Sequence, residues 1–316
     1  MKRITRLLAA TLLSTAAIAA QAQQSIKILI PANPGGGWDQ TGRTLGKVMS
    51  DKKIASSVQY DNKGGAGGTI GLAQFVNSGK GDPNALMIGG QAMVAAVELN
   101  KSAVKVQQAT PIARLVAEYS VIVVPANSPY KTMADVIKDF KANPGAVSWG
   151  AGSAGSTEHL LIGLIAKAVG GDPSKINYIA FKGGGEAVPA IIGGHVKVGA
   201  SGLGEFHEHI RSGKMRALAV SSEKAMEGIP SLKEQGIDVV FGNWRGVWGA
   251  PGITPAQRDQ LVKAVTTATE SDEWKGMLAK MGWTPVVITG EPFARFVDEE
   301  TKTLGALVVS LGLGKP

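Results

Sequence analysis

The sequence predicts an α/β fold with two lobes, each a mainly parallel β-sheet flanked by helices, joined by two crossing strands. Four glycine-rich turns each stand directly after an apolar strand and directly before a helix. This strand–helix alternation is typical of parallel strands connected by right-handed crossovers. Two apolar segments, residues 117–124 and 217–220, stand on either side of the second round of alternation and are the candidates for the crossing strands.

The first round of alternation contains three predicted strands and three predicted helices. Short apolar runs bounded by Gly, Pro and Asn predict the strands, and apolar residues three and four positions apart predict the helices. The strands are expected at residues 25–30, 58–60 and 85–88, and the helices at residues 38–49, 69–77 and 92–99.

The alternation restarts after Pro125. A helix at residues 133–141 is expected to end before Asn143-Pro144, because the residue before a proline disfavours helical backbone. Strands are then expected at residues 147–149, 176–180, 196–201 and 216–220, and helices from the third glycine turn to 169, at 187–192 and at 205–211.

The last hundred residues are less regular and mostly helical. Strands are expected at residues 239–240 and 246–249, and helices at 255–270, 273–281 and 291–311. Residues 23–124 and 217–316 are therefore expected to form a discontinuous first lobe, with residues 125–216 as an inserted second lobe. A cleft lies between such lobes, and it closes by a hinge motion about the crossing strands.

The N-terminus has the three parts of a secretory signal peptide. Lys2, Arg3 and Arg6 precede an apolar stretch over residues 7–20, and Ala20-Gln21-Ala22 forms a small-x-small cleavage site. The apolar stretch is too short to span a bilayer comfortably. We therefore expect residues 1–22 to be removed near Ala22 and the mature chain to be exported to the periplasm.

Composition excludes several classes of protein. Removing the signal peptide's three basic residues lowers the formal net charge from +8 to +5, without a Lys/Arg run of the kind that binds nucleic acid. Cysteine is absent, which excludes disulfides, thiolate nucleophiles and Cys metal sites. The chain has no G-x-x-x-x-G-K-[ST] motif and no H-x-x-x-H spacing, so we predict neither a nucleotide-hydrolysing loop, a metal site nor a cofactor.

Two enzyme motifs match only in part. Gly150-x-Gly152-x-x-Gly155 resembles a dinucleotide fingerprint, but Lys182 stands near the place of the acidic residue that holds the ribose. Residues 151–155 nearly match the G-x-S-x-G nucleophile elbow around Ser153, with alanine in place of the first glycine. An exported serine hydrolase that uses Ser153 therefore stays open as an alternative.

The glycine turns favour binding of a small anion without chemistry. A turn that precedes a helix points unpaired N–H groups and the positive helix end at one spot, and glycine lets a ligand approach the backbone. Ser153, Ser156 and Thr157 surround the start of the third turn's helix, where their hydroxyls can hold a carboxylate or cap the helix. Lys182 adds a positive charge at the fourth turn.

Four spaced motifs carry a resemblance to a known family. They are Pro34-Gly35-Gly36-Gly37-Trp38-Asp39, residues 63–71 (KGGAGGTIG), residues 181–187 (FKGGGEA) and residues 209–220 (HIRSGKMRALAV). In collinear order they resemble the signature turns of the extracytoplasmic receptors of tripartite tricarboxylate transporters, the Bug or TctC family. The resemblance runs from about Ile26 to near the C-terminus.

The resemblance implies a type II-like periplasmic binding protein that captures a small organic carboxylate and delivers it to a two-component membrane permease. It implies no catalysis, and we expect a monomer. A citrate-like tricarboxylate is favoured over di- or aromatic carboxylates, and a sensory receptor with the same ligand is a second alternative. The ligand-binding residues that the resemblance implies are Gly36, Gly37, Trp38, Asp39, Ala66, Gly67, Ser153, Ser156, Thr157, Lys182, Gly184 and Gly185.

Overall fold

The computed structural model describes residues 25–313, so the predicted signal peptide lies outside the described residues. Within that range the chain forms ten strands and ten α-helices in an α/β fold. The strands are β1 Ser25–Ile30, β2 Ser57–Asn62, β3 Ala85–Gly90, β4 Thr110–Pro125, β5 Ser148–Ala151, β6 Asn177–Ala180, β7 Val198–Gly202, β8 Met215–Val220, β9 Gly242–Gly249 and β10 Thr284–Thr289. The helices are α1 Gly37–Asp51, α2 Thr69–Ser78, α3 Gln91–Leu99, α4 Met133–Ala142, α5 Thr157–Ala168, α6 Gly184–Ile192, α7 Leu203–Arg211, α8 Pro255–Thr269, α9 Asp272–Met281 and α10 Gly290–Ser310.

The first lobe is built on a sheet in the order β2-β1-β3-β9-β4, with β10 also paired to β4. Strand β1 pairs in parallel with β2 and β3, as expected for strands joined by crossover helices. Strands β9 and β10 enter antiparallel, because the chain reaches them on its way back from the second lobe. The sheet is therefore mixed, with its parallel part confined to the N-terminal alternation.

The second lobe has a smaller mixed sheet in the order β8-β4-β7-β5-β6. Strand β5 pairs in parallel with β6 and β7, whereas β4 pairs antiparallel with β7 and β8. The 16-residue strand β4 belongs to both sheets: residues 110–119 pair with β9, and residues 120–125 pair with β7 and β8. One continuous strand thus connects the lobes.

The chain returns to the first lobe beside this strand. Strand β8 stays in the second sheet, and Ser221 follows it. The Ser221 hydroxyl accepts a bond from the Ser120 N–H and donates one to the Phe241 carbonyl, just before β9 begins. Two adjacent segments therefore pass between the lobes, the arrangement about which two-lobe proteins hinge.

Three predicted elements differ from the structure. Strand β4 begins at Thr110 rather than 117, and β9 begins at Gly242 rather than 246. Residues 239–240 are not a strand, whereas β10 was not predicted. Strand β10 is a partly exposed edge strand in which Pro285 precedes an apolar run of only three residues, 286–288, too short to identify a strand from the sequence.

Each lobe has its own buried apolar core. Ile28, Leu45 and Trp274 belong to a core under the first sheet, and Trp149 and Phe140 belong to one under the second sheet. Another core spans both lobes, since Leu160 of α5 belongs to it together with Leu99 and Leu311 of the first lobe, so this packing has to change if the lobes move apart. Among residues 25–313, no helix combines the length and the apolar character needed to cross a bilayer.

Candidate ligand-binding cleft

All four glycine-rich turns contribute residues to one cleft. The first two turns belong to the first lobe and the other two belong to the second lobe. The described lining residues are Pro31, Ala32, Gly36, Gly37, Trp38, Gly67, Gly68, Ala92, Gly152, Ser153, Ser156, Thr157, Glu158, Lys182, Gly183, Glu205, Asn243 and Arg245.

The first turn brings the N-terminus of α1 to the cleft. Gly36 is the N-cap residue of α1, and no side chain caps this helix end. The first backbone N–H groups of a helix have no partner within the helix, so this end can donate to a ligand. A Cβ at Gly37 would overlap the Arg245 guanidinium. Glycine is therefore required there for the turn to approach Arg245.

The second turn reaches the cleft through Gly67 and Gly68, at the uncapped start of α2. Both glycines have positive φ, +66° and +91°. A Cβ at Gly68 would lie 2.6 Å from the Trp38 ring, so the indole packs over this turn. Ala66 also has a positive φ, +47°, and its carbonyl accepts a bond from the Thr69 hydroxyl.

The third turn places three hydroxyls at the start of α5. Ser156 caps this helix by accepting a bond from the His159 N–H, and its hydroxyl donates to Glu158 Oε2 at 2.6 Å. Thr157 donates to Asn243 Oδ1 at 3.2 Å, a contact from α5 to β9. Ser153 donates to the Phe181 carbonyl at 3.2 Å, rather than to a histidine of the described chain.

The fourth turn reaches the cleft through Lys182 and Gly183, ahead of the uncapped helix α6. Gly185 lies in the first turn of α6 and packs against Gly35 of the first lobe: a Cβ at Gly185 would lie 2.9 Å from the Gly35 carbonyl carbon. Glu186 beside it accepts a hydrogen bond from the Asn33 amide. The two lobes therefore touch next to residues that line the cleft.

Asp39 holds the first turn in shape instead of facing the cleft. Its buried carboxylate accepts bonds from the Gly35 N–H, from Arg43 Nε and from the Asn62 amide. Burial alone would raise the pKa of Asp39, but the bonds from Arg43, Gly35 and Asn62 outweigh it and lower that pKa. Asp39 therefore stabilises the first turn as an ionised carboxylate.

The structure brings most of the predicted site residues together. Among the described residues, Asp39, Ala66 and Gly185 do not line the cleft, and the surroundings of Gly184 lie outside what the structure describes. The predicted residues that line the cleft are Gly36, Gly37, Trp38, Gly67, Ser153, Ser156, Thr157 and Lys182.

A buried charged cluster at the inner end of the cleft was not predicted from the sequence. Arg245 on β9 donates to Glu118 on β4, and its Nη2 lies 3.5 Å from Glu205 Oε1 on α7. The Arg245 guanidinium also stacks over the Trp283 ring at 4.6 Å. Glu158 lies nearby on α5. Three carboxyl groups and one guanidinium therefore share a site that is largely removed from water.

The cluster changes the acidity of its members. Burial raises the pKa of Glu158, with the Ser156 hydroxyl opposing the shift. Burial likewise raises the pKa of Glu205 to about 8, against the attraction of Arg245 and with repulsion from Glu118 adding to the shift. A carboxyl group that is buried beside other carboxyl groups favours its neutral form.

A neutral histidine supports the third turn from behind. His159 stacks on Tyr178, with ring centroids 4.0 Å apart, and its Nδ1 accepts a bond from the Gly155 N–H. Burial lowers the pKa of His159 to about 4. The Tyr178 hydroxyl donates to the Gly152 carbonyl at 2.8 Å. These bonds fix the backbone of residues 152–155 beside the cleft.

Comparison with known proteins identifies the family. The family model described as the tripartite tricarboxylate transporter family receptor matches residues 42–313. The chain belongs to this receptor family. It is 30% identical to a Cupriavidus necator protein named for the gbd 5′ region, over 96% of this chain and 94% of that protein. It is 29% identical to the protein BugT of Bordetella pertussis, over 98% of each chain.

Solved structures share the fold of this receptor. The periplasmic binding protein BugD superimposes with a TM-score of 0.85 at 23% identity, covering 93% of this chain and 99% of BugD. MatC of Rhodopseudomonas palustris, solved with bound malate, gives a TM-score of 0.79 at 21% identity, covering 90% of this chain and 99% of MatC. Rpa4515 of R. palustris, solved with adipate, gives a TM-score of 0.83 at 21% identity, covering 92% of this chain and 98% of Rpa4515. Among the described residues, no group of three or more His, Cys, Asp or Glu side chains could hold a metal ion.

Proposed function

We propose that this receptor is exported to the periplasm, binds a small organic carboxylate in the interlobe cleft without altering it, and delivers it to a tripartite transporter permease. The observation that carries the proposal is the convergence of four glycine-rich turns on one cleft, three of them at helix N-termini that no side chain caps. Such ends offer free N–H groups and positive potential, which match a carboxylate.

The proposed binding energy comes mainly from the backbone. Each exposed helix N-terminus contributes about 0.3–1 kcal/mol toward an anion, and more when it is partly buried. Bonds from N–H groups and hydroxyls to a carboxylate are charge-assisted and add to this. Micromolar affinity, about −8 kcal/mol, is within reach of several such contacts after the cost of ordering. On the second-lobe side the Ser156 and Thr157 hydroxyls line the cleft, and each would exchange its present acceptor, Glu158 or Asn243, for the ligand.

We propose that the lobes follow the predicted division into residues 23–124 with 217–316 and residues 125–216, except that residues 120–124 and 217–220 pair within the second sheet, and that the ligand favours the closed arrangement. A ligand shifts a conformational equilibrium only if it contacts one state better than the other. Gly36 and Gly37 line the cleft from one side, and Ser153 and Lys182 line it from the other. A ligand that touches both sides at once therefore stabilises closure, together with the Gly35–Gly185 contact.

A citrate-like tricarboxylate is the proposed ligand, with dicarboxylates next. The family is named for tricarboxylates, and two structures with the same fold contain the dicarboxylates malate and adipate. A second carboxylate of such a ligand needs a positive partner within the cleft, and Lys182 and Arg245 both line it. An amide-only site would hold a monocarboxylate equally well.

The experiment that tests this function is a thermal-shift and calorimetry screen of the mature chain. The panel contains citrate, tricarballylate, succinate, malate, terephthalate, aspartate and the uncharged glycerol as a control. A ligand at a hundred times its Kd stabilises the protein by about 2.7 kcal/mol, which raises the melting temperature measurably. We expect a shift with at least one di- or tricarboxylate and none with glycerol. No shift with any acid, or turnover of an ester that Ser153→Ala abolishes, would contradict the proposal.

A further inference from the structure

Three buried polar atoms of the charged cluster have no hydrogen-bond partner in the described structure: Glu118 Oε2, and two atoms of residues that line the cleft, Arg245 Nη1 and Glu205 Oε2. The side chain of Arg245 is 2% exposed and that of Glu205 is 7% exposed, yet both residues line the cleft. A buried donor or acceptor without a partner costs about 1–3 kcal/mol, and more when it is charged. A bound group that satisfies Arg245 Nη1 and Glu205 Oε2 would recover that cost.

Several other polar atoms of the cluster, though not Glu118 Oε2, already have partners. Arg245 Nη2 donates to Glu118, and the Asn243 amide donates to the same Glu118 oxygen at 3.1 Å. Glu158 Oε2 accepts from Ser156. Arg245 Nη1 and Glu205 Oε2 are thus a donor and an acceptor site left over from one guanidinium–carboxyl pair, whose nearest charged atoms are 3.5 Å apart.

The charge of the cluster selects among the groups that could bind there. An ammonium group would satisfy Glu205 but would repel the Arg245 guanidinium and leave its Nη1 unpaired. A carboxylate would accept from Arg245 Nη1 with one oxygen, and its other oxygen would need a donor. Glu205 supplies that donor only when its carboxyl is protonated. The surplus of carboxyl groups over the single guanidinium favours this protonated state.

We propose that Arg245 and a protonated Glu205 together form a second carboxylate subsite at the inner end of the cleft, so that a di- or tricarboxylate binds with retention or uptake of one proton. The inference rests on the proposed function, since the glycine turns hold the ligand's first carboxylate. The ligand's second carboxylate then lies between the side chains of Arg245 and Glu205. The raised pKa of Glu205, about 8, agrees with this state of protonation.

Charged and titratable groups from every neighbouring element act on Glu205. Repulsion from Glu118 on β4 and from Glu158 on α5 raises its pKa, and attraction by Arg245 on β9 and the Ser201 hydroxyl on β7 lower it. Lys182 lines the same cleft from the fourth turn. On α7 itself, His207 pairs with Glu227 and Glu208 pairs with Arg211, both pairs outside the set of residues that line the cleft.

The test is calorimetric titration of the mature protein with succinate and tricarballylate at pH 7, 8 and 9, a range in which their carboxylates stay ionised. If only the protonated cleft binds, the Kd at pH 9 is about tenfold weaker than at pH 7, because one cleft in about eleven still carries the proton. Titration at pH 8 in buffers of different ionisation enthalpy should show uptake of about half a proton per ligand.

Glu205→Gln separates this inference from a structural role. The amide keeps a hydrogen-bond donor at this place at every pH, so we expect binding within a few-fold of wild type at pH 7 and a Kd that no longer changes up to pH 9. Glu205→Ala removes the donor and should weaken succinate binding at every pH. The matched control is Glu208→Gln on the same helix, whose side chain is 81% exposed and which should behave as wild type.

The outcomes distinguish the two proposals. Binding of either acid with equal Kd at pH 7 and 9, or with release of a proton, would overturn the second subsite while leaving carboxylate capture intact. A Glu205→Gln protein that keeps the full pH dependence would also overturn it. An absence of heat with every carboxylate at pH 7 would overturn the proposed function, and the subsite with it.

Discussion

Gly185 offers a test of closure that leaves the cleft's polar groups unchanged. A Cβ at this position would lie 2.9 Å from the carbonyl carbon of Gly35 and 3.2 Å from both the Cα and the carbonyl oxygen of that residue. All three are backbone atoms, so no side-chain rotation relieves the overlap. Gly185 lies inside α6 without a positive φ, so alanine fits its own helix. The clash therefore exists only where the two lobes meet.

The magnitude follows from the contact. Inserting one methyl group into packed backbone costs about 1–3 kcal/mol. In the open form proposed above, Gly35 and Gly185 would separate and the added methyl group would meet no backbone there. If the ligand stabilises the closed form, Gly185→Ala should weaken binding by about 5- to 150-fold. The unliganded protein should be as stable as wild type or slightly more so, because alanine is the better helix former by about 1 kcal/mol.

Calorimetry with succinate or tricarballylate measures the Kd. A melting curve of the unliganded protein measures its stability. The control is Gly276→Ala in α9, where the added Cβ meets nothing within 4 Å. It should raise stability in the same way and leave the Kd unchanged. If Gly185→Ala binds as tightly as wild type, or if both variants lose affinity equally, closure at the Gly35–Gly185 contact plays no part in binding.

Glu205 should make the protein less stable as the pH rises. Burial raises the pKa of Glu205 from 4.5 to about 8, so its contribution to stability is complete below pH 4.5 and is lost as the pH rises to 8. In urea unfolding, the free energy of unfolding should fall by about 1.4 kcal/mol per pH unit because of this group. The fall should be shallower in Glu205→Gln. Burial lowers the pKa of His159 from 6.5 to about 4, so its contribution to stability is present above pH 6.5 and is lost on acidification to pH 4. Between pH 6.5 and 4, His159→Gln should therefore lose less stability than wild type. An equal loss would contradict this reasoning. Gly67→Ala puts a Cβ onto Ala96 at a φ of +66°. Gly67→Ala should lower the free energy of unfolding by about 1–3 kcal/mol more than Gly170→Ala does. Gly170 has a similar φ of +78°, but a Cβ added there meets nothing within 4 Å.

The backbone part of the cleft could be predicted from the sequence. A glycine turn between a strand and a helix is a local signal, and parallel strands bring their carboxyl ends to one edge. Gly36, Gly67, Ser156 and Lys182 therefore line one cleft although they come from four turns. Asp39 was a predicted ligand-binding residue, but the structure pairs it with Arg43, because a carboxylate four residues before an arginine on a helix has a partner at hand.

The side-chain part of the cleft could not be read from local patterns. Arg245, Glu118 and Glu205 lie on three different elements, and only the antiparallel pairing of β9 with β4 brings the first two together. The available signal was a charged residue inside an apolar strand: Glu118 stands in the run 117–124. A buried charge requires a partner, but the predicted strand at residues 246–249 leaves out Arg245, which β9 includes because it begins at Gly242.

The most direct test of the central claim is a crystal structure of the mature protein with the tightest-binding acid from the screen. We expect one ligand carboxylate to accept hydrogen bonds from backbone N–H groups of the glycine turns around Gly36 and Gly183, with the Thr157 hydroxyl close by. A ligand seated elsewhere, or one held in this cleft without any backbone N–H donor, would contradict the account.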